Sequence, residues 1–337
     1  MQRLHLVVLM ALSGAVAGAT CRALSLEGGG SKGAYQAGAL VTLTTKLPGE
    51  DIQWNVVTGI STGALNSGGV SMFAMGQEVE MAQFLKSVWL SLNGSASVFE
   101  NWNALGIPYA VIGEPSLYTT QPLRSTLTKL FTQGIHRNVT IGATNLNTGL
   151  FGNFNESVGS ANIIEAIMCS AAPPFFFPPQ NFMGSMWADG GCVINLDVFS
   201  AVERCLDVVD DESDIIVDVI YCSGANMAPV TNPSAMITSD VLGRVQNIKS
   251  YDHSMWYMYN AMLAYPNVNY RYMIVPSQPL AGSILPLDFD LANLQSELAL
   301  GESDAANVLA NGADPKLQIG QWYAQRNAHV RPYASSS

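Results

Sequence analysis

Three short motifs contain residues whose types and spacing could do chemistry. The first is the loop Gly28-Gly29-Gly30-Ser31-Lys32-Gly33, which follows a strand-type run and opens a helical pattern. It matches the dinucleotide fingerprint G-x-G-x-x-G, but the acidic residue that would hold a ribose is missing from the end of the next strand. It is not a Walker loop either, because Lys32 is followed by Gly33. The remaining use of such a loop is to direct backbone N–H groups at an oxyanion.

The second motif is Gly59-x-Ser61-x-Gly63, directly after a buried-strand candidate and before a segment of helix type. A sharp strand-to-helix turn needs both glycines and exposes a strained serine hydroxyl. The helix N-terminus then stabilises negative charge near that hydroxyl. A chance match is the alternative, since Gly and Ser are common here, but the strand-then-helix context favours a nucleophile.

The third motif is Asp189-Gly190-Gly191 at a strand end, which taken alone is only a turn. A serine nucleophile needs a base, either a histidine or a carboxylate. An α/β-hydrolase would place its residues in the order Ser, acid, His and carry a His-Gly loop upstream. Of the four histidines, His5 lies in the N-terminal signal-type segment, and none of the other three lies in a glycine-rich or strand-end setting. We therefore expect ordinary, partly buried roles for His136, His253 and His329.

The elements around these motifs predict an α/β fold. The strand candidate at 23–26, the helix Ala34–Lys46, the strand Trp54–Thr58 and the following helix form one strand-helix-strand-helix unit. Such a unit implies a parallel sheet with a right-handed crossover. Further helices are predicted at 78–92, 121–131, 161–169 and 198–206, and further strands at 138–144, 150–155, 185–188, 215–222 and 270–275. We expect one large domain.

Composition excludes several classes of protein. The 337 residues carry a net charge of −11, with 12% charged and 48% hydrophobic residues. Disordered chains combine low hydrophobicity with high charge, so this chain is not one of them. No basic patch is visible, which makes nucleic acid a poor partner. No apolar run reaches the ~20 residues of a spanning helix, so a polytopic membrane protein is excluded.

The N-terminal segment is typical of a secretory signal peptide. It has a single charge at Arg3, an apolar run over Leu6–Val16 and small residues at 17–19. We predict a signal at 1–19 and a mature domain at 20–337. An N-terminal helix of the fold and an uncleaved anchor are the alternatives, and a lipoprotein signal at Cys21 is disfavoured by the large Thr20 before it.

Several other features carry less information. The cysteines lack CxxC spacing and neighbouring histidines, so zinc is not expected, and up to two disulfides of undetermined pairing could form. These cysteines are Cys21, Cys169, Cys192, Cys205 and Cys222.

Sequons for N-glycosylation at Asn93, Asn138 and Asn155 are no more numerous than chance predicts. The acidic run at 207–214 lacks the spacing of a calcium loop, and the Tyr and Met stripe at 251–262 favours a core face.

The three motifs in this order resemble the patatin-like phospholipase family. Landmarks at 143–149 and 171–179 agree, and the likeness covers about residues 22–224. The resemblance implies a mostly parallel central sheet flanked by helices, and a Ser-Asp dyad that hydrolyses lipid acyl esters without metal or cofactor. It assigns Ser61 as nucleophile, Asp189 as base and the loop 28–33 as the oxyanion hole. One departure is Asn195-Leu196-Asp197, where many members have Asn-x-Pro.

We therefore expect a secreted lipid acyl hydrolase whose partner is lipid at a membrane or micelle surface. The alternatives are a catalytically weak storage or binding protein on the same scaffold and a neutral-glyceride lipase. A nucleotide-dependent oxidoreductase is disfavoured by the missing acidic residue. Lys32 could favour an anionic head group, although an ordinary surface lysine is the simpler interpretation.

Overall fold

The computed structural model describes residues 20–224, 227, 229–280, 287–312 and 314–328. The predicted signal segment and His329 lie outside the described residues. Within them, one eight-stranded sheet runs in the order β5-β6-β3-β2-β1-β7-β8, with β4 paired to β3. Its strands are β1 Cys21–Leu26, β2 Val56–Ile60, β3 Asn138–Asn145, β4 Phe151–Asn155, β5 Gln180–Phe182, β6 Ser185–Asp189, β7 Ile215–Ile220 and β8 Asn269–Ile274.

The sheet is parallel in its centre and antiparallel at one side. β3, β2, β1, β7 and β8 are parallel neighbours, while β4, β5 and β6 pair antiparallel. The carboxyl ends of the parallel strands therefore share one edge, where loops can assemble a site. The expected hairpin between β3 and β4 is confirmed. The three-residue β5 was not predicted, because a strand that short leaves no periodicity to detect.

Helices cover both faces of the sheet. They are α1 Gly33–Lys46, α2 Thr62–Ser71, α3 Glu78–Ser91, α4 Ile107–Gly113, α5 Gln121–Leu130, α6 Ile163–Ser170, α7 Val198–Leu206, α8 Thr238–Ala264, α9 Leu291–Asn311 and α10 Pro315–Ala328. Leu24 and Leu26 of β1 join the core under α1, α3 and α9. Ala23 belongs to the core under α7, α8 and α10. A central strand buried on both faces explains why β1 is mostly apolar.

Two core predictions can be compared with the structure. Met255 and Met258 of α8 are fully buried, so the Tyr and Met stripe forms core as predicted. Cys21 and Cys205 form a disulfide between the start of β1 and the end of α7, and the other three cysteines, all within the described residues, are free. No helix in the described part of the chain combines the length and apolar character needed to cross a bilayer.

The strand boundaries differ from the sequence prediction at two places near the site. β2 starts later and ends later than expected, so it runs up to Ser61. β7 ends at Ile220 and not at Cys222. The reason is that the Cys222 and Ser223 N–H groups donate to the Glu27 carboxylate, at 2.5 and 2.7 Å, and leave the strand ladder.

Candidate active site

Ser61 and Asp189 meet because two strands end head to head along β3. β2 pairs with the first part of β3 and β6 with its last part, while β4 occupies the opposite edge of β3. β6 therefore continues the line of β2 from the other direction. A Cβ on Gly190 would lie 3.0 Å from Ile60 Cγ2, which shows how close the two strand ends are. Ser61 follows β2 and Asp189 ends β6, so the topology brings them together.

Ser61 lies on a strained turn between β2 and α2. Its backbone has φ 54° and ψ −117°, a region that non-glycine residues rarely occupy. The flanking glycines permit the turn by close backbone approach. A Cβ on Gly59 would lie 2.1 Å from the Gly63 oxygen, and one on Gly63 would lie 2.2 Å from the Leu26 oxygen. The turn therefore holds the Ser61 side chain clear of α2 and at the edge of the sheet.

Asp189 is a buried carboxylate that interacts with Ser61. It is 7% exposed, and its Oδ1 accepts the Gly191 N–H at 2.8 Å. Burial raises the pKa of Asp189 from its ordinary 3.8 to about 6, while hydrogen bonds from the Ser61 side chain and the Gly191 N–H act in the opposite direction. A carboxylate with a pKa near neutrality is a better proton acceptor than an ordinary aspartate.

A further residue at this turn, Ser170 at the end of α6, was not predicted because no sequence motif marks it. The Ser61 N–H donates to Ser170 Oγ at 2.8 Å, and Ser170 Oγ donates to the Gly142 carbonyl at 2.6 Å. Ser170 is fully buried, so it links the strained turn to β3. On the Asp189 side of the site, the Thr144 hydroxyl of β3 donates to the backbone carbonyl of Asp189 at 2.9 Å.

The glycine loop offers fewer free N–H groups than its sequence suggests. The Gly28 N–H donates to the Asn195 carbonyl at 3.0 Å, and the Lys32 N–H to the Gly29 carbonyl at 3.3 Å. The Gly33 N–H is also used inside the loop. Among the described residues, the N–H groups of the other three members have no acceptor, and these are Gly29, Gly30 and Ser31. Ser31 is fully buried, so Gly29 and Gly30 are the members of the loop placed to donate to a developing oxyanion.

A buried carboxylate, Glu27, fixes the base of this loop. Glu27 is fully buried, and burial raises its pKa although several hydrogen bonds act to lower it. Ser254 of α8 donates to it at 2.5 Å, and the Ser223 hydroxyl and the Cys222 N–H also donate to it. Five donors on one carboxylate, counting the Ser223 N–H and the Asn195 amide, join the ends of β1 and β7 to α8.

Asn195, which opens the segment where Asp197 replaces the proline of many family members, contacts the same region. Its amide donates to Ser250 Oγ of α8 at 2.8 Å and lies 3.2 Å from the Gly28 carbonyl. The following Asp197 accepts the Ser200 N–H at 3.0 Å and so caps α7. The sequence Asn-Leu-Asp therefore builds a capped loop that supports the glycine loop without a proline.

Ser61, Asp189 and the glycine loop line one cavity of about 1020 Å³. Its wall is apolar at Pro173, Pro174, Phe176 and Leu280. Lys32 is half-buried in this wall, so it is not the ordinary surface lysine of the simpler interpretation. The Lys32 charge acts on Glu297. Burial raises the pKa of Glu297 to about 8, and the positive charge of Lys32 opposes that rise.

The histidines are placed differently from the dyad residues. His253 of α8 lines the cavity, yet no described hydrogen bond joins it to Ser61 or Asp189. His136 does not line the cavity. Its backbone N–H donates to the carbonyl of Ser71, the last residue of α2, at 2.7 Å. The described residues also contain no group of three or more His, Cys, Asp or Glu side chains that could hold a metal ion.

Comparison with known proteins shows a family match and similarity to solved structures. Residues 24–202 match the family described as "Patatin-like phospholipase". The crystal structure of VipD from Legionella pneumophila is similar with a TM-score of 0.40 and 12% sequence identity, over 86% of this chain and 67% of that chain. No curated protein sequence matches the chain significantly.

Proposed function

The chain belongs to the patatin-like phospholipase family, and on that premise we propose that it hydrolyses fatty-acyl esters of phospholipids or related glycerolipids through a Ser61–Asp189 dyad. The observation that carries the proposal is the strained Ser61 beside a buried carboxylate, in one cavity lined also by Gly29 and Gly30, whose N–H groups are unpaired among the described residues. Nucleophile, base and oxyanion donors are the three parts that acyl transfer needs.

The mechanism follows from these positions. Ser61 Oγ attacks the ester carbonyl while Asp189 takes the hydroxyl proton, and the N–H groups of Gly29 and Gly30 stabilise the tetrahedral oxyanion. Collapse of that intermediate breaks the ester bond, and the proton on Asp189 passes to the leaving alkoxide. This leaves an acyl-enzyme on Ser61. Asp189 then accepts a proton from water, which attacks the acyl group to form a second tetrahedral intermediate. Collapse of this intermediate breaks the bond to Ser61 Oγ and releases the fatty acid, and the proton on Asp189 returns to Ser61.

The cavity wall supports a phospholipid as substrate. The apolar residues near Ser61 can bury an acyl chain, and three cations line the same cavity, namely Lys32, Arg244 and Lys249. None of the three has an ion-pair partner among the described residues, whereas the arginines elsewhere in the described chain are paired. Unpaired cations are suited to a phosphate oxygen.

We also propose that the protein is secreted and that its mature chain starts near Thr20. The apolar segment with small residues at 17–19 supports this, and so does the disulfide between Cys21 and Cys205, because disulfides persist in oxidising compartments. N-terminal sequencing of protein from the culture medium tests it, and secreted protein that still begins with Met1 would contradict it.

The function is tested by a lipid panel. Purified protein is incubated with phosphatidylcholine, phosphatidylglycerol, galactolipid and triglyceride, and released fatty acid is measured beside the Ser61→Ala variant. We expect release from a phospholipid by the native chain only. Equal release by Ser61→Ala would refute the dyad, and binding without release from any lipid would favour the storage or binding protein.

A further inference from the structure

The outer face of the first half of α8 is apolar and exposed. Five aliphatic side chains between Ile237 and Ile248 are 44–65% exposed, and they are Ile237, Val241, Leu242, Val245 and Ile248. At about 100° per residue along a helix they fall within an arc of about 140°. Helices of globular proteins normally turn such a face towards the core. Here it faces outward.

The opposite face of the same segment is polar and lines the cavity. Gln246, Asn247, Ser250 and His253 all contribute to the cavity wall. On the helix Asn247 and Ser250 lie opposite the aliphatic arc, while Gln246 and His253 lie just beyond its Leu242 border. The polarity of this segment is therefore inverted, with its polar face towards the protein interior. Because a helix is about 10–12 Å across, anything that contacts the outer face lies one helix diameter from the cavity that holds Ser61.

Two cations lie at or within the aliphatic arc. By the same helical spacing, Arg244 lies about 20° outside its Ile237 border, and Lys249 lies inside it, between Val245 and Leu242. Both also contribute to the cavity wall, so they lie where the outer face and the cavity meet. Neither has an acidic partner among the described residues, although the chain as a whole carries a net charge of −11. Both acidic side chains of α8 are already used, since Asp240 accepts the Ile237 N–H and Asp252 pairs with Arg326. This is the distribution of a helix that lies in a membrane interface.

We propose that the segment 237–249 is the surface by which the protein docks on a lipid bilayer that contains anionic lipid. The aliphatic side chains enter the acyl boundary, while Arg244 and Lys249 contact phosphate groups and the polar face stays on the cavity. The proposal rests on the proposed lipid hydrolase function, since substrate then enters from the surface on which the helix lies. A second copy of the chain is a poorer occupant, because a symmetric pair of these faces would bring four cations together.

The experiment separates docking from catalysis. Vesicle binding is measured by flotation in the full-length Ser61→Ala background, so that hydrolysis does not alter the lipid. Vesicles of phosphatidylcholine are compared with and without phosphatidylglycerol. The test variant is Val241→Ser with Val245→Ser. The matched control is Val79→Ser with Val208→Ser, whose valines are similarly exposed at 45% and 44% but lie away from α8.

We expect the α8 double variant to bind vesicles at least about tenfold more weakly, because two valines no longer enter apolar surroundings. The control pair should bind like its parent. When Ser61 is left intact, both double variants should hydrolyse a soluble short-chain ester at the native rate, since none of the four valines lines the cavity. Arg244→Gln or Lys249→Gln should each weaken binding about fivefold, on vesicles with phosphatidylglycerol only.

Two results would overturn the docking proposal. One is equal vesicle binding by the α8 double variant and the control. The other is a dimer in sedimentation analysis that only the α8 variant dissociates, which would make this face a contact between copies. If the protein with Ser61 intact binds vesicles through α8 but hydrolyses no ester, the proposed function is refuted and docking stands. If it hydrolyses the soluble ester but the α8 double variant binds vesicles like its parent, docking is refuted and the proposed function stands.

Discussion

The buried position of Asp189 predicts how activity depends on pH. If Asp189 is the base, only its ionised form can take the proton from Ser61. Burial raises its pKa to about 6 from the ordinary 3.8, so kcat/KM should rise with pH through that value and level off above it. The pH profile of kcat/KM reports the ionisation of the free enzyme, which is the state that the structure describes.

The size of the effect follows from the pKa. One unit below it, about a tenth of the molecules are ionised, so kcat/KM at pH 5 should be about tenfold lower than on the plateau near pH 8. A base with the ordinary aspartate pKa would keep more than about nine-tenths of its activity at pH 5. The two cases are therefore easily distinguished.

The assay uses a soluble fatty-acyl ester with chromatographic detection of the acid, so that the signal does not depend on pH. Histidine is the other side chain that commonly titrates in this range, and His253 lines the cavity. The His253→Ala variant is therefore the control, and it should keep the same profile. Circular dichroism at each pH shows that the fold persists. A profile that is flat down to pH 4.5, or one that loses its acid limb in His253→Ala, would refute the reasoning.

Three further predictions concern the scaffold and the chemistry. Gly63→Ala should destabilise the fold by about 1–3 kcal/mol or more, because its Cβ would lie 2.2 Å from the Leu26 oxygen; urea unfolding equal to the native chain would contradict this. Cys205→Ala should lower the free energy of unfolding by about 2–4 kcal/mol, since the Cys21–Cys205 bond closes a span of 184 residues, and a much smaller change in urea would count against it. Activity should survive EDTA, because the dyad mechanism uses no metal; loss on chelation that added calcium restores would disprove it.

Local patterns were sufficient to predict the parallel sheet, its flanking helices and the three motifs. The strand-helix order around Ser61 predicted the turn there, and the φ of 54° at Ser61 is the conformation that such a turn requires. Each of these features depends on residues a few positions apart. The family match over residues 24–202 agrees with the motif-based resemblance.

The hydrogen bonds that hold the site in place could not be predicted, because they join residues far apart in the sequence. Ser170 contacts Ser61 across 109 positions, and Ser254 contacts Glu27 across 227. No local period marks such pairs. For the same reason the sequence could not show that Asn195 takes up the Gly28 N–H, which reduces the free donors of the glycine loop. The choice of Cys205 as the partner of Cys21 is likewise a consequence of the sheet topology.

The central claim is that Asp189 does the work usually given to histidine. The most direct test compares Asp189→Asn with His136→Ala, His253→Ala and His329→Ala on one soluble ester, using variants whose fold is verified by circular dichroism. Asp189→Asn is nearly isosteric but lacks the basic oxygen, so kcat should fall about 10²–10⁴-fold, while each histidine variant keeps most of its activity. An active Asp189→Asn together with an inactive histidine variant would show that the enzyme is a triad hydrolase and that the dyad is wrong.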